Sequence, residues 1–537
     1  MTKLRKRPVV LIVRDGWGHN PHPEHNDFNA VHLANTPVDD QLLAKYPNGQ
    51  IHTSGEHVGL PEGIMGNSEV GHQNIGAGRV VDQEMMRLTR SARDGSMFTK
   101  PALLEAVEHA KQTGGTIHML GLLSDGGVHS HIEHALALVE FLGKQEIPSE
   151  RIVLHVITDG RDTSPQSGIG FVERLEEKLK DTGVGRIGSV VGRFYAMDRD
   201  YRWERVQRAY DLLTKGGPVK PSATEALKEY YDNPTSPSQK GDEFVTPVSI
   251  APSGKIDPHQ LVKDGDSVIF FNFRGDRPRE ITKAFIYSDV DWANIQNGGF
   301  DRGKKVENLY FASMTRYEEG LETKVIFEPP ARMNNILGEY LCSLGLIQFR
   351  CAESEKHPHV TYFFNDYRKG CYSKEYQIDI PSPKYVSTYD EKPDMSADAV
   401  THAVVNAIES DIFDFVLVNY ANGDMVGHTG SLEAAIKAVE TVDACVGRVV
   451  EVTLKRGGAL VVTADHGNCE QMTNTETGGP HTQHTTYDVD LIVVDNDIVG
   501  STIRPDGRLA DVAPTVLELL GLDVPADMTG KSLLVRT

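Results

Sequence analysis

The chain has 537 residues, a formal charge of −21, an apolar fraction of 39% and 5 cysteines. Single cores stop growing at roughly 250 to 300 residues, so two or more domains are expected. The acidic balance argues against general nucleic-acid binding, which needs Lys and Arg in excess on one face. No run approaches the ~20 apolar residues of a membrane helix. Cys342, Cys351, Cys371, Cys445 and Cys469 are odd in number and lack Cys-x-x-Cys spacing, which argues against a disulfide framework or zinc knuckle and fits a reducing cytoplasm.

The chain opens with Lys3, Arg5, Lys6 and Arg7, as a secretory signal does, but the apolar run at 9–13 ends at once in Arg14-Asp15-Gly16. A buried first strand fits that run better than a signal core of about 7 to 15 residues. Further β-branched, apolar runs follow at 117–123, 152–157, 268–273, 415–418, 460–463 and 491–494. Between them lie helical periods: Ile436, Val439, Val442, Val446 and Val449 recur at three- and four-residue steps before the basic turn and glycine stop of Lys455-Arg456-Gly457. The alternation predicts an α/β fold with largely parallel sheets covered on both faces. The polar stretches 233–240 and 297–305 read as surface loops.

Open α/β sheets bind ligands at the carboxyl ends of their strands. The runs here end in Asp15-Gly16, Ser124-Asp125-Gly126-Gly127, Thr158-Asp159-Gly160-Arg161, Arg274-Gly275-Asp276-Arg277, Asn419-Tyr420 and Ala464-Asp465-His466. Asp424 and His428 stand four residues apart, one helical turn, a spacing that chance and surface capping also produce. Asp465-His466 leaves a strand, His481 and His484 share a polar loop, and Asp15 could equally cap a helix. Together, three Asp and two or three His at strand ends match the mixed oxygen and nitrogen ligands of a Mn²⁺ or Zn²⁺ pair. Two such metals roughly 3.5 to 4 Å apart can hold both the attacking and the leaving oxygen of a phosphoryl displacement. Met65-Gly66-Asn67-Ser68-Glu69-Val70-Gly71-His72 offers the nucleophile, a serine in a glycine-flanked turn. Ser68 also reads as a helix N-cap, which is compatible because helix amino termini favour anions.

These segments closely resemble the cofactor-independent phosphoglycerate mutases, the metal-dependent class of the alkaline phosphatase superfamily. Asp15-Gly16-Trp17-Gly18, Gly66 to His72 through Gly76-Ala77-Gly78-Arg79, Ser124 to His131, Asp159-Gly160-Arg161-Asp162, Gly192-Arg193 through Met197-Asp198-Arg199-Asp200, Asn272-Phe273-Arg274 with Asp276-Arg277, Glu355-Lys356, Asp424 to His428 and Ala464 to Asn468 occur in the family's order.

The resemblance implies an isomerase of glycolysis and gluconeogenesis that interconverts 3- and 2-phosphoglycerate through a phosphoserine at Ser68, without bisphosphoglycerate. It implies two divalent ions, Mn²⁺ foremost, one held by Asp15, Ser68, Asp465 and His466 and the other by Asp424, His428 and His484. Glycerate phosphate would be gripped by His129, Arg161, Asp162, Arg193, Arg199, Arg274, Arg277 and Lys356, with Asp162 as general base. The family architecture implies a phosphatase-like, metal-binding α/β domain of residues 1–82 and 330–537, with an inserted α/β phosphotransferase domain at 83–329. The active site is expected in the cleft, with hinges near 81–84 and 328–332, the second stiffened by Pro329-Pro330. The resemblance also favours a monomer that binds a small molecule and neither nucleic acid nor membrane.

Two positions depart from the family pattern. Arg14 stands where the first strand is usually apolar and could change the charge beside Asp15, and Gly423 stands where proline is common and could loosen the turn at Asp424. The longer loop at 21–29, with His22 and His25 and with His19 just before it, reads as solvated. The alternative activities are those of other superfamily phosphomutases or phosphomonoesterases, and a non-catalytic scaffold would be expected to lack Ser68, Asp162 or Lys356.

Overall fold

Continuous runs of Val, Ile and Leu suit strands whose two faces are both covered, and such runs form the middles of two eight-stranded sheets here. The computed structural model describes residues 5–536, so Lys3 of the basic start lies outside the described residues. The chain divides into two compact units, one made of the residues up to Gln83 together with those from Ala331 onward, the other Glu84–Pro330. Among the described residues no helix is long and apolar enough to cross a membrane.

In the first unit the sheet runs Glu375–Ile380, Gln348–Glu353, Phe415–Tyr420, Val9–Arg14, Ala459–Thr463, Val489–Val494, Asn48–His52, Gly507–Arg508. The first five strands are parallel, and Val489–Val494 is antiparallel to both of its neighbours. The register sets Arg14 beside Tyr420 and Val13 beside Thr463, so the segments bearing Asp15, Asp424 and Asp465 leave three adjacent strands at one edge. The helix Leu432–Lys455 carries the apolar stripe expected from the sequence and buries Val439, Val442, Val446 and Val449. Ile436 is only partly buried against the same core.

The second unit's sheet runs Lys324–Phe327, Tyr310–Thr315, Ser267–Phe270, Ile117–Leu122, Ile152–Thr158, Arg186–Gly192, Val248–Ile250, Val219–Lys220, with all neighbours parallel except Arg186–Gly192 against Val248–Ile250. Period-two alternation divides its apolar residues: Ile117, Met119, Leu154 and Val156 enter one core cluster, Leu120, Leu122, Ile157 and Val191 the other. The strand expected at 268–273 ends at Phe270. Beyond it Phe273 donates its backbone N–H to His129 O at 2.8 Å, so the chain leaves the sheet to bond a loop.

Neither unusual position acts as its sequence suggested. Arg14 is 2% exposed, pairs with Asp39 at 2.6 Å and lies over the Trp17 ring at 4.4 Å. Its charge is thus spent on a helix, Pro37–Lys45, whose first turn is capped from outside by Asp443, which accepts from Val38 N at 3.0 Å and Asp39 N at 2.8 Å. Gly423 tightens the turn: a Cβ there would lie 2.6 Å from Asp15 O, the oxygen that accepts Asp424 N at 3.0 Å.

Breaking a buried ion pair from one side strands the other charge. Arg14→Ala is therefore expected to cost about 3–5 kcal/mol in urea unfolding, and the double change Arg14→Met with Asp39→Asn markedly less. Equal losses in the two would show that the ion pair is not the source.

Candidate functional site

The edge of the first unit gathers all seven residues expected as metal ligands. Ser68 opens the helix Ser68–Ala77, but the cap is Asn67, whose side chain accepts from Val70 N at 2.9 Å. Ser68 is therefore the first helical residue rather than the N-cap, and its hydroxyl is free to face the strand ends. Its Oγ lies 3.2 Å from Asp15 Oδ1, 2.9 Å from His466 Nε2 and 2.6 Å from Lys356 Nζ. His466 Nε2 lies 3.4 Å from Asp15 Oδ1, 3.7 Å from Asp465 Oδ2 and 4.0 Å from Asp424 Oδ1.

Asp424 opens the other half of the cluster. Its Oδ1 is 3.2 Å from His428 Nε2 and 3.0 Å from His484 Nε2, and those two nitrogens are 3.1 Å apart. His428 Nδ1 faces Thr482 O and His484 Nδ1 faces Gly66 O, both at 2.8 Å. Nδ1–H donation to a carbonyl leaves the Nε2 lone pair aimed at the common focus, the arrangement of a ligating imidazole. Among the described residues the tightest groups of ligand atoms are Asp424 with His466 and His484, and Asp15 with His72 and Asp465; His428 adjoins the first through Asp424 and His484, and His481 enters neither.

The charges need a cation. Burial opposes ionisation of Asp15, but the Lys356 ammonium, 2.8 Å from Oδ1, and His466 outweigh it and hold the carboxyl below its usual range. Burial likewise opposes the charge on Asp424, which Lys356, His428 and His484 hold well below the ordinary value. Lys356 stays an ammonium against burial because Asp15, Asp424 and Asp465 surround it. Burial disfavours charge on His466, yet Asp465, Asp15 and Asp424 push it up to about 10. Asp465 is wholly buried, and neither of its oxygens has a hydrogen-bond partner. A buried carboxylate that accepts no hydrogen bond is expensive even with charged neighbours. Together with the mixed oxygen and imidazole donors around it, this fits divalent metal ions.

Sequence reasoning missed the frame around these groups. Asn419 donates its amide to Asp15 Oδ2 at 2.8 Å, which orients it, and the same nitrogen lies 3.1 Å from His72 Nε2. His72 Nε2 thus accepts, and its Nδ1 proton faces Ser68 O at 2.9 Å, with Asp465 Oδ2 3.2 Å from Nδ1 but not hydrogen-bonded to it. His72 therefore lies beside Asp465 with its proton on the Ser68 carbonyl, although its ring is close enough to be taken for a ligand. Both residues stood in motifs, Gly71-His72 and Asn419-Tyr420, whose spacing held no sign of the partner.

In the second unit four adjacent parallel strands end in the expected anion-binding residues. Asp159 Oδ1 accepts Arg161 N at 3.1 Å and Asp162 N at 2.9 Å, and takes Arg193 Nη1 at 2.7 Å. Arg193 is itself buried and reaches Asp162 Oδ2 at 2.6 Å. Asp276 gathers Arg274 at 3.1 Å, Arg199 at 3.2 Å and His129 Nδ1 at 3.6 Å, while Glu243 pairs Arg161 at 3.2 Å. Arg277 donates to Met197 O at 3.1 Å. Burial and the Arg193 charge push His129 down to about 4, so its imidazole is neutral near pH 7. Arg161, Arg193, Arg199 and Arg277 line a pocket of about 350 Å³. A larger cavity of about 760 Å³ beside Lys283 and Glu318 holds none of the expected residues. Lys356, expected to grip substrate, stands in the first unit's cluster and makes its contacts there.

Residues 88–319 match the family described as the BPG-independent PGAM N-terminus, and residues 312–504 match type I phosphodiesterase / nucleotide pyrophosphatase. A 2,3-bisphosphoglycerate-independent phosphoglycerate mutase of Rhodopirellula baltica is 61% identical over 535 residues, covering 99% of this chain and 98% of that protein. The chain belongs to the 2,3-bisphosphoglycerate-independent phosphoglycerate mutase family. A mutase of the same name from Clostridium beijerinckii is 49% identical, covering 99% of this chain and 100% of that one. The crystal structure of Leishmania mexicana phosphoglycerate mutase at low cobalt concentration is 33% identical with a TM-score of 0.56, covering 100% of this chain and 99% of that one. This member of the family has the expected fold class, two α/β units of which one is alkaline-phosphatase-like.

In this mutase-family chain a buried acid pair holds the loop that carries Arg199. Asp198 Oδ1 accepts Asp200 N at 2.9 Å and Arg202 N at 3.0 Å, and Glu280 Oε1 accepts Tyr201 N at 3.0 Å, with Tyr201 at φ 57°. Burial and the Asp198 charge push Glu280 up to about 7 from an ordinary 4.5. Its folded pKa is raised, so folding favours the protonated acid. Stability from this group is full below the ordinary value and falls as pH rises toward the folded one. Glu280→Gln is expected to abolish that fall, gaining on the unsubstituted chain between about pH 5 and about pH 8 in urea midpoints. A constant difference across that range would refute the assignment.

Proposed function

We propose that this chain interconverts 3-phosphoglycerate and 2-phosphoglycerate without bisphosphoglycerate, with Ser68 carrying the phosphoryl group between the two substrate oxygens. The observation that carries the reading is the Ser68 hydroxyl, held between Lys356 Nζ at 2.6 Å and His466 Nε2 at 2.9 Å at the start of a helix. The proposed ions are Mn²⁺, one with Asp15, Ser68, Asp465 and His466, the other with Asp424, His428 and His484. When bound, the pair supplies the positive charge that eases deprotonation of the hydroxyl and offsets charge on the transferring phosphoryl group.

The protein groups divide the remaining work. Ser68 gives up its hydroxyl proton as Oγ attacks phosphorus, the bond from phosphorus to the substrate's 3-oxygen breaks, that oxygen takes up a proton to become a hydroxyl, and glycerate is released from the phosphoryl group but not from the site. Lys356 stabilises the anionic oxygen on one side, and the helix amino terminus favours the phosphate on the other. His129, Arg161, Arg193, Arg199, Arg274 and Arg277 hold the carboxylate and hydroxyls of glycerate, a task for which guanidinium forks are suited. Glycerate reorients and its 2-hydroxyl attacks the phosphoserine. Asp162 takes the proton, and the Ser68 oxygen leaves and is reprotonated. Water must be kept out, since hydrolysis of the phosphoserine would turn the mutase into a phosphatase. The reading takes the protein as a monomer that binds a small molecule. Five free cysteines suit a reducing cytoplasm.

The test incubates Mn²⁺-loaded protein with 3-phosphoglycerate alone, following 2-phosphoglycerate through enolase and free phosphate in parallel. Isomerisation is expected, with Ser68→Ala lowering it by at least about 10³-fold. Free phosphate without isomerisation would replace the reading with a phosphomonoesterase.

A further inference from the structure

Glu470 is wholly buried and is none of the ligands named above. Its Oε2 accepts the backbone N–H of Gly18 at 3.1 Å and of Asn468 at 2.7 Å, and its Oε1 accepts the Thr485 hydroxyl. These donors come from three separate parts of the chain. Gly18 follows Asp15 by three residues, Asn468 follows His466 by two, and Thr485 directly follows His484. A fourth ligand is reached through Asn468, whose amide donates to Asp424 Oδ1 at 3.0 Å.

The surroundings are shaped for this carboxylate. A Cβ on Gly18 or on Gly467 would lie 2.3 Å from it, so both positions require glycine for the chain to close around the acid. The backbones it joins also bond one another: Asn468 N and Cys469 N both donate to Gly16 O at 3.1 Å, and Thr485 N donates to Gly467 O at 3.1 Å. A buried carboxylate is tolerated only where hydrogen bonds replace its water. Here all of the replacements come from loops that bear metal ligands.

We propose that Glu470 is a positioning residue that locks the loops bearing Asp15, Asp465 with His466, and His484 into one geometry, so that the two ion sites exist before metal arrives. The proposal rests on the ligand sets given under the function above. Ligands that share an ion tolerate little displacement, and losing an outer partner typically costs roughly 10- to 100-fold in metal affinity. Glu470 acts at the same remove, but on three ligand loops, through two backbone N–H groups and one hydroxyl, rather than on one imidazole.

The full chain, stripped of metal, is titrated with Mn²⁺ by calorimetry and by electron paramagnetic resonance, and its metal-free melting temperature is recorded. Glu470→Gln places an amide donor against donors and is expected to weaken both ions by roughly 10- to 100-fold. Thr485→Val removes only the hydroxyl and is expected to weaken the ion of Asp424, His428 and His484 while the other keeps its affinity. If Glu470→Gln does not fold, Thr485→Val decides. Affinities unchanged in the folded variants, with only a lower metal-free melting temperature, would overturn the proposal and leave Glu470 a purely structural acid. An unsubstituted chain that takes up no Mn²⁺ would instead remove the ligand reading, and the proposal with it.

Discussion

Mutual repulsion among Asp15, Asp424 and Asp465 is the constraint on which the first unit's architecture depends. All three are buried at the carboxyl ends of adjacent parallel strands, and one ammonium, Lys356, lies among them. Such a cluster survives metal-free only on a rigid base. The base is the continuous apolar run of each strand, covered on both faces, whose burial stabilises at about 25 cal/mol per Å² without directional demands. The directional demands are concentrated at the edge, where Asn419 donates to Asp15, Asn468 donates to Asp424, and Glu470 joins Gly18 to Asn468. Rigidity below and convergence above are the two conditions for a metal centre built from distant segments.

The second unit solves the opposite problem by the same means. Its cations are gathered at the ends of four adjacent strands, and all but Arg277, which donates to Met197 O, are held by a carboxylate: Arg193 by Asp159, Arg161 by Glu243, Arg199 and Arg274 by Asp276. Pairing orders long side chains that would otherwise lose much rotamer entropy on meeting an anion. It also explains how a chain of charge −21 presents positive groups locally. A neutral His129 adds a hydrogen-bonding ring without a further charge to neutralise.

Much of this was legible in the residues. The β-branched runs marked the central strands because doubly covered strands must be apolar throughout, and their polar endings marked the edge where chemistry collects. What was misjudged depended on contacts between distant segments. Ser68 looked like a helix cap until Asn67 took that role. Arg14 looked like a charge beside the site, but strand alternation turns it to Asp39 and Trp17 instead. Gly423 looked like a loosened turn, because nothing near it in sequence announces the Asp15 carbonyl that fills the space of its missing side chain. Glu470 gave no signal, since its partners lie as far away as Gly18.

The α/β class, the apolar strands and the candidate set of Asp, His, Ser and Arg side chains at their ends were readable before any contact was known, since these follow from local pattern and side-chain chemistry. Which nitrogen of His428 and of His484 faces a carbonyl, which acid holds which arginine, and which glycines are needed for close approach emerge only in the folded chain. Those features are distances between segments hundreds of residues apart, and sheet register, which places Arg14 beside Tyr420, is what sets them.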